Sequence, residues 1–229
     1  IIIGGHTEYS SNLARPLVAV TAFGPLEMWK PVLTRGARPG DHILVTKGIP
    51  LEGTAILAQD FTEQAHRMGL TDADLKQAKA LISQISVIPE AMILAESGAS
   101  AMHDVTDGGV LETLREIAAL SDTRLQIDAG KIHIPAVCSR FAEAFQFDPL
   151  RMISSGTLVG TVPPEKVKAA GMALKEAGIP FFDVGRVEEG QGVSVLCGDG
   201  VQEYVGVQPE GGELSRMWEE YGGNQDLTE

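Results

Sequence analysis

The chain has 229 residues, 44% of them hydrophobic and 21% charged, which suits one large domain or a domain plus a fragment and excludes a disordered polymer. Its net charge of −13, from 31 acidic against 18 basic residues, is spread along the chain as a solubilising surface. It excludes a nucleic-acid groove or an anionic-membrane surface, both of which need clustered Lys and Arg.

No apolar run approaches the ~20 residues that span a bilayer. The opening Ile1-Ile2-Ile3 is too short for a secretion signal. Cys138 and Cys197 lie far apart without metal-ligand spacing, which fits reduced thiols in a cytoplasmic protein. In chain order, Ile1-Ile2-Ile3 running into Gly4-Gly5 reads as a strand, and Leu17-Val18-Ala19-Val20-Thr21-Ala22-Phe23 as a second. Two strands alone are marginal in water, so the rest of their sheet is expected outside this chain.

After the turn residues Gly36 to Asp41 comes a strand at 42–46, then a Gly-rich loop and a helix with Leu57, Phe61, Ala65 and Met68 on one face. Thr71 with Asp74 reads as a capping box opening a helix to about Ile85, and another helix follows at 89–97. A short strand leads into His103-Asp104-Val105-Thr106, followed by a helix with Val110, Leu111, Leu114, Ile117 and Ala118 on one face. Strands at 124–127 and 156–162, helices at 135–145 and from Pro164 to Gly178, strands at 181–187 and 193–197, and an amphipathic helix at 214–221 complete the reading. Strands and helices alternate with hairpin-like pairs, which points to a layered α/β arrangement with a mixed sheet.

Four segments could carry chemistry. Gly4-Gly5-His6-Thr7-Glu8 lets a backbone approach a phosphate closely, with Thr7 and Glu8 as oxygen donors; an ordinary strand-end turn is the competing reading. Thr46-Lys47-Gly48-Ile49-Pro50-Leu51-Glu52-Gly53-Thr54 runs from strand to helix start, where free N–H groups bind anions. Thr54 stands where a Walker loop needs Lys, so it is not a P-loop; a turn capped by Thr54 is the alternative.

His103-Asp104-Val105-Thr106-Asp107-Gly108-Gly109 places carboxylates at the carboxyl end of a strand. Asp104 could bind magnesium or accept a proton, whereas Thr106 or Asp107 could simply cap the next helix. Asp148-Pro149-Leu150 with Ser154-Ser155-Gly156 could line a cleft or be a structural loop.

These four segments, in this order, resemble the AIR synthase-like superfamily over residues 1 to about 190. That group includes aminoimidazole ribonucleotide synthase, selenophosphate synthetase, thiamine-monophosphate kinase and, nearest in pattern, HypE and HypE-like proteins. The resemblance implies an α+β protein: residues 1–30 end an ATP-binding N-terminal domain, and 35–190 form a three-layer α/β/α C-terminal domain with a mixed sheet. Residues 191–229 add a last strand, a short helix and a flexible tail.

The resemblance also implies ATP and Mg2+ as cofactors, held mainly by the N-terminal domain, a homodimer, and phosphoryl transfer to an amide-type small-molecule oxygen. It gives Asp104 and Glu8 catalytic roles, with Asp104 as a magnesium ligand. Gly4, Gly5, His6, Thr7, Lys47, Gly48, Gly53 and Thr54 fall near nucleotide phosphates. His103, Thr106, Asp107, Gly108, Gly109, Ser155 and Gly156 face the substrate. The last residues, Asn224 to Glu229, lack the terminal Cys of HypE proper, so a HypE-like paralogue with a maturation partner protein fits better. The alternatives are a non-catalytic module binding a ligand or partner, and a relative of selenophosphate synthetase or thiamine-monophosphate kinase.

Overall fold

β1 (His42–Thr46) follows a turn in which the Asp41 carboxylate accepts the Arg38 N–H at 3.0 Å. Its side chains alternate between two cores, as a strand's period of two requires: Ile43 and Val45 join one cluster and Leu44 another. The structure, a computed structural model, describes residues 2–9, 13, 16–25, 31–198, 200–204 and 212–222. By its internal contacts the chain divides into two units, Ile1–Pro31 and Val32–Glu229.

After β1 the second unit runs α1 (Leu51–Asp60), α2 (Thr62–Arg67), α3 (Asp72–Ala80), a 3-10 turn (Leu81–Gln84), α4 (Ile88–Glu96), β2 (Ala101–Asp104) and α5 (Gly109–Ser121). It continues through β3 (Arg124–Asp128), α6 (Ala136–Phe145), β4 (Leu158–Val162), α7 (Pro164–Glu176), β5 (Phe181–Glu188), β6 (Gly192–Cys197), β7 (Gly200–Tyr204) and α8 (Glu213–Tyr221). The strands form one mixed sheet in the order β2-β4-β1-β5-β3-β6-β7, in which only the β3–β6 pair is parallel.

Helices cover both faces, which gives the three layers expected. On one face α5 packs Val110, Leu114 and Ile117 against Leu125, Ile127 and Val193. On the other, Leu94 of α4 and Ala170 and Leu174 of α7 meet Leu44, Leu158 and Val162. A third cluster joins α1, α2, α3, α6 and α8 through Leu57, Ala65, Leu75, Phe141, Phe145 and Met217. Edge-on aromatic contacts hold α8 there, Phe61 with Trp218 at 4.7 Å and Phe145 with Tyr221 at 5.6 Å. No single helix among the described residues is long and apolar enough to cross a membrane.

Four elements differ from the sequence reading. The helix through Leu57, Phe61, Ala65 and Met68 is broken at Phe61 (φ −118, ψ 37), so it forms two helices. The strands expected at 1–3 and 17–23 are not formed among the described residues of the first unit, where Ile2, Ile3, Leu17, Val18, Val20 and Phe23 are exposed. A strand is defined by the ladder it shares, and residues 1–31 contain no ladder among those described. Conversely β7, unread in the sequence, pairs antiparallel with β6. β6 is an interior strand, so residues beyond 190 complete the main sheet. Ile1 and the tail at 223–229 lie outside the described residues.

Candidate functional site

Strand directions decide which loops meet. β1 and β2 are both antiparallel to β4, and β1 and β3 are both antiparallel to β5, so β1, β2 and β3 all end at one edge of the sheet. Ligand sites of open α/β sheets favour such carboxyl edges. Three of the four candidate segments are brought together there by hydrogen bonds. Thr157 Oγ1 donates to the Gly48 carbonyl at 2.6 Å, and Leu51 N donates to Ser154 Oγ at 2.9 Å. Gly53 N donates to the Ile153 carbonyl at 3.0 Å, and Ser155 N to Glu52 Oε2 at 3.2 Å. Val105 N donates to Thr157 O at 2.9 Å, and Ser154 N to Val105 O at 3.2 Å.

Residues 47–54 are thereby committed to the architecture. Lys47, held in the left-handed region (φ 58), places its Nζ 2.7 Å from Glu90 Oε1 and donates to the carbonyls of Gln84 (2.9 Å) and Ser86 (2.7 Å). Thr54 is fully buried and its hydroxyl donates to the Pro50 carbonyl at 2.7 Å. Gly48 and Gly53 are buried as well. The expected anion site at the start of α1 meets a physical obstacle. The N–H groups of Leu51 and Gly53 already have acceptors, and the Lys47 charge already has its carboxylate.

The turn after β2 is different. His103 lies between two carboxylates: Nε2 is 2.7 Å from Glu116 Oε2, and Nδ1 is 2.6 Å from the Asp104 carbonyl and 3.3 Å from Asp104 Oδ1. Contact with the Asp104 carboxylate, then its backbone, then Glu116, raises the His103 pKa to about 9 against the opposing effect of burial. The same contact holds Asp104 below the usual carboxylate range. Asp104, Thr106 and Asp107 are exposed.

The glycines beside them are there for fit. Gly109 (φ +69) sits so close to the next loop that a Cβ would meet the Leu150 carbonyl, and Gly156 (φ +103) comes equally close to the Gln84 carbonyl. The amides at the start of α5 are partnered too, Gly108 N with Asp107 Oδ1 (3.1 Å), Gly109 N with Thr106 O (3.1 Å) and Leu111 N with Leu150 O (3.2 Å). At this edge Asp104, Thr106 and Asp107 offer acceptor oxygens to solvent, and the amides of Gly108, Gly109 and Leu111 are bonded within the fold.

Gly4, Gly5, His6, Thr7 and Glu8 belong to the first unit. All are exposed, and His6 Nε2 lies 4.0 Å from Glu8 Oε2. Among the described residues no group of three His, Cys, Asp or Glu side chains comes together to hold a metal ion. Asp104 faces the His103 ring, with Oδ1 3.3 Å from Nδ1. Cys138 is buried, its thiol pushed up to about 11 by burial, so it is an inert packing residue.

A cavity of about 480 Å³ lies at the opposite edge of the sheet, lined by Arg115, Arg124, Gln191 and Tyr204 among others. Its arginines are paired with neighbouring carboxylates, Arg124 with Glu203 and Arg115 with Glu112, and Gln191 Nε2 donates to Asp122 Oδ1 at 2.9 Å. Glu116 and Glu90 were not foreseen. A charged residue next to the apolar stripe of α5 was the available signal for Glu116; nothing in the sequence pointed to Glu90.

Known proteins resemble this chain in sequence and in fold. Residues 38–198 match the family model described as AIR synthase related protein, C-terminal domain. The chain is 31% identical over 176 residues to a thiamine-monophosphate kinase of Halobacterium salinarum, covering 75% of this chain and 52% of that protein. Among solved structures it is similar to E. coli HypE, a hydrogenase maturation protein (TM-score 0.62, 21% identity, 78% of this chain and 52% of that one). It is also similar to a hydrogenase maturation protein HypE in complex with ATP (TM-score 0.58, 22% identity, 77% and 53%). The chain spans about half the length of these relatives.

Proposed function

Because this chain belongs to the family of AIR synthase related proteins, whose C-terminal domain it carries over residues 38–198, we propose that it forms the acceptor-substrate side of an ATP-dependent phosphoryl-transfer enzyme. The acceptor in this reading is an amide-type or closely related oxygen of a small molecule. What carries the reading is the polarity of the carboxyl edge. Asp104, Asp107 and Thr106 are exposed, and the amides of Gly108, Gly109 and Leu111 beside them are bonded internally. A surface of acceptors binds a group that donates. A carboxamide offers N–H donors to the carboxylates and leaves its carbonyl oxygen free to attack phosphorus.

Asp104 stays ionised because His103 stabilises its charge, so it accepts a hydrogen bond from the substrate N–H and orients the amide oxygen, while the proton released on phosphorylation passes to solvent and ADP leaves. Ser155 and the Gly108-Gly109 turn shape the floor of this site. ATP with magnesium, when bound, supplies the phosphoryl group. The chain spans about half the length of its relatives, so we place the nucleotide mainly on the rest of the full-length protein, with Gly4 to Glu8 as candidates within this chain. A homodimer and a protein partner in metalloenzyme maturation belong to the same proposal; the E. coli structural neighbour is described as a hydrogenase maturation protein.

The experiment is nucleotide turnover by the full-length protein, wild type against Asp104→Asn, with carboxamide and phosphate-ester acceptors side by side. A fall of about 100-fold in kcat is expected for the variant; equal rates would remove Asp104 from the chemistry. Preference for thiamine monophosphate over amides would favour a kinase of that class, which the likeness to the Halobacterium salinarum enzyme keeps in view. Calorimetry of the 229-residue chain with magnesium–ATP separates a third reading, a binding module without catalysis. Weak or absent heat is expected, and tight binding would relocate the nucleotide site.

A further inference from the structure

Both ring nitrogens of His103 face oxygens. Nδ1 lies 2.6 Å from the Asp104 carbonyl, which can only accept, so Nδ1 carries a proton. Nε2 lies 2.7 Å from Glu116 Oε2, and an ionised carboxylate also only accepts, so Nε2 carries the other. The ring is therefore a cation with a carboxylate on either side. It is set back from solvent, its side chain 17% exposed against 51% for Asp104, so Asp104 stands in front and His103 behind. Glu116 belongs to α5, the helix that starts at the glycine turn of the candidate site. One turn earlier on that helix, the Thr113 hydroxyl reaches the same Asp104 carbonyl at 3.4 Å.

From this arrangement we infer that Glu116 is a positioning residue for Asp104, acting through the His103 ring to fix where the Asp104 carboxylate stands at the carboxyl edge. The inference rests on the reading of Asp104 as the group that meets the substrate. The carboxylate of α5 sets the plane of the ring, and the ring sets the rotamer of the aspartate. Without Glu116 the ring keeps one anchor and can turn about its own axis, and Asp104 then samples orientations that no longer meet the substrate. Misplacement of a catalytic group by about 1 Å can cost up to about 100-fold in rate. A smaller loss is expected here, because Thr113 still holds the strand end.

Two measurements test it. In the full-length enzyme, Glu116→Gln should lower kcat about 10-fold and leave KM within about 2-fold, the split expected when binding survives and orientation does not. His103→Ala should lower kcat at least as far. His103→Arg, whose fork keeps the charge and can reach both carboxylates, should recover kcat to within about 3-fold of wild type. Wild-type kcat in Glu116→Gln, with Asp104→Asn inactive, would overturn the positioning role and leave the catalytic reading of Asp104 intact. In the 229-residue chain, which needs no substrate, proton NMR should show two exchange-protected ring N–H signals for His103, with the Nε2 signal lost in Glu116→Ala, which removes the acceptor that a glutamine amide oxygen could still supply. Persistence of both signals in that variant overturns the inference whatever the enzyme turns out to do. A wild-type enzyme without nucleotide turnover sinks the phosphoryl-transfer reading instead, and the ring signals then decide the role of Glu116.

Discussion

Two loops share the carboxyl edge of the sheet and have been put to opposite uses. Residues 47–54, laced to 153–157, look in sequence like an anion-binding loop. Yet Thr54, Ser154 and Thr157 are fully buried, and their hydroxyls bond to Pro50, to each other and to Gly48. Residues 104–107 use ordinary turn chemistry and keep their carboxylates in solvent. Gly, Ser and Thr in a loop after a strand are therefore poor evidence of a site by themselves. The deciding quantity is whether their donors and acceptors have partners inside the fold.

The sharpest way to break that contrast is to disturb the laced loop. Lys47→Met leaves Glu90, only 1% exposed, without its cation, and should cost about 3–5 kcal/mol in urea unfolding. If Lys47 instead serves a ligand, the loss will be small and binding will suffer. Next in size is Asp104→Asn, where a 100-fold loss of turnover corresponds to about 3 kcal/mol in the barrier, against a loss of folding stability on the order of 1 kcal/mol from the weakened His103 contact. Ser154→Ala removes the acceptor of the buried Leu51 N–H and should destabilise by about 1–3 kcal/mol.

A pH series probes the open turn. The pKa of His103 is raised from 6.5 to about 9 on folding, so its contribution is complete below pH 6.5 and disappears as pH rises through about 9. With Asp104 half exposed, solvent screening reduces this to on the order of 1 kcal/mol. Urea unfolding at pH 6 and pH 10 should show that slope in wild type and a flatter one in Glu116→Gln. The smallest effect is Thr106→Ala, an exposed turn position where stability should stay within about 0.5 kcal/mol. Equal sensitivity in the two loops would erase the distinction between them.

Much of the architecture was legible because it is written locally. The Thr71–Asp74 capping box forms as read, with Asp74 N bonding Thr71 Oγ1 at 3.2 Å and Thr71 N bonding the Asp74 carboxylate at 3.0 Å. The apolar stripe of α5 from Val110 to Ala118 lies in the core it foretold. What failed depends on partners distant in sequence. Leu17 to Phe23 has strand composition but no ladder among the described residues of its unit, and the exposed, weakly patterned β7 has one supplied by β6. In the site, the His103-Asp104 turn could be found by its residue types. The engagement of Lys47 by Gln84, Ser86 and Glu90 could not, since the partners lie 37 to 43 positions away and two of them are backbone carbonyls.

β2 is the outermost strand on its side of the sheet. Its four residues pair with β4, and on the far side Met102 N reaches the Leu33 carbonyl at 3.1 Å. A margin secured so lightly opens at lower free energy than the interior strands do. Asp104 therefore rides on a part of the molecule that can be re-aimed by changes along the rim, around Leu33 or Thr113, without repacking the centre. Such a rim gives one scaffold room to suit acceptors of different shape while its interior stays the same.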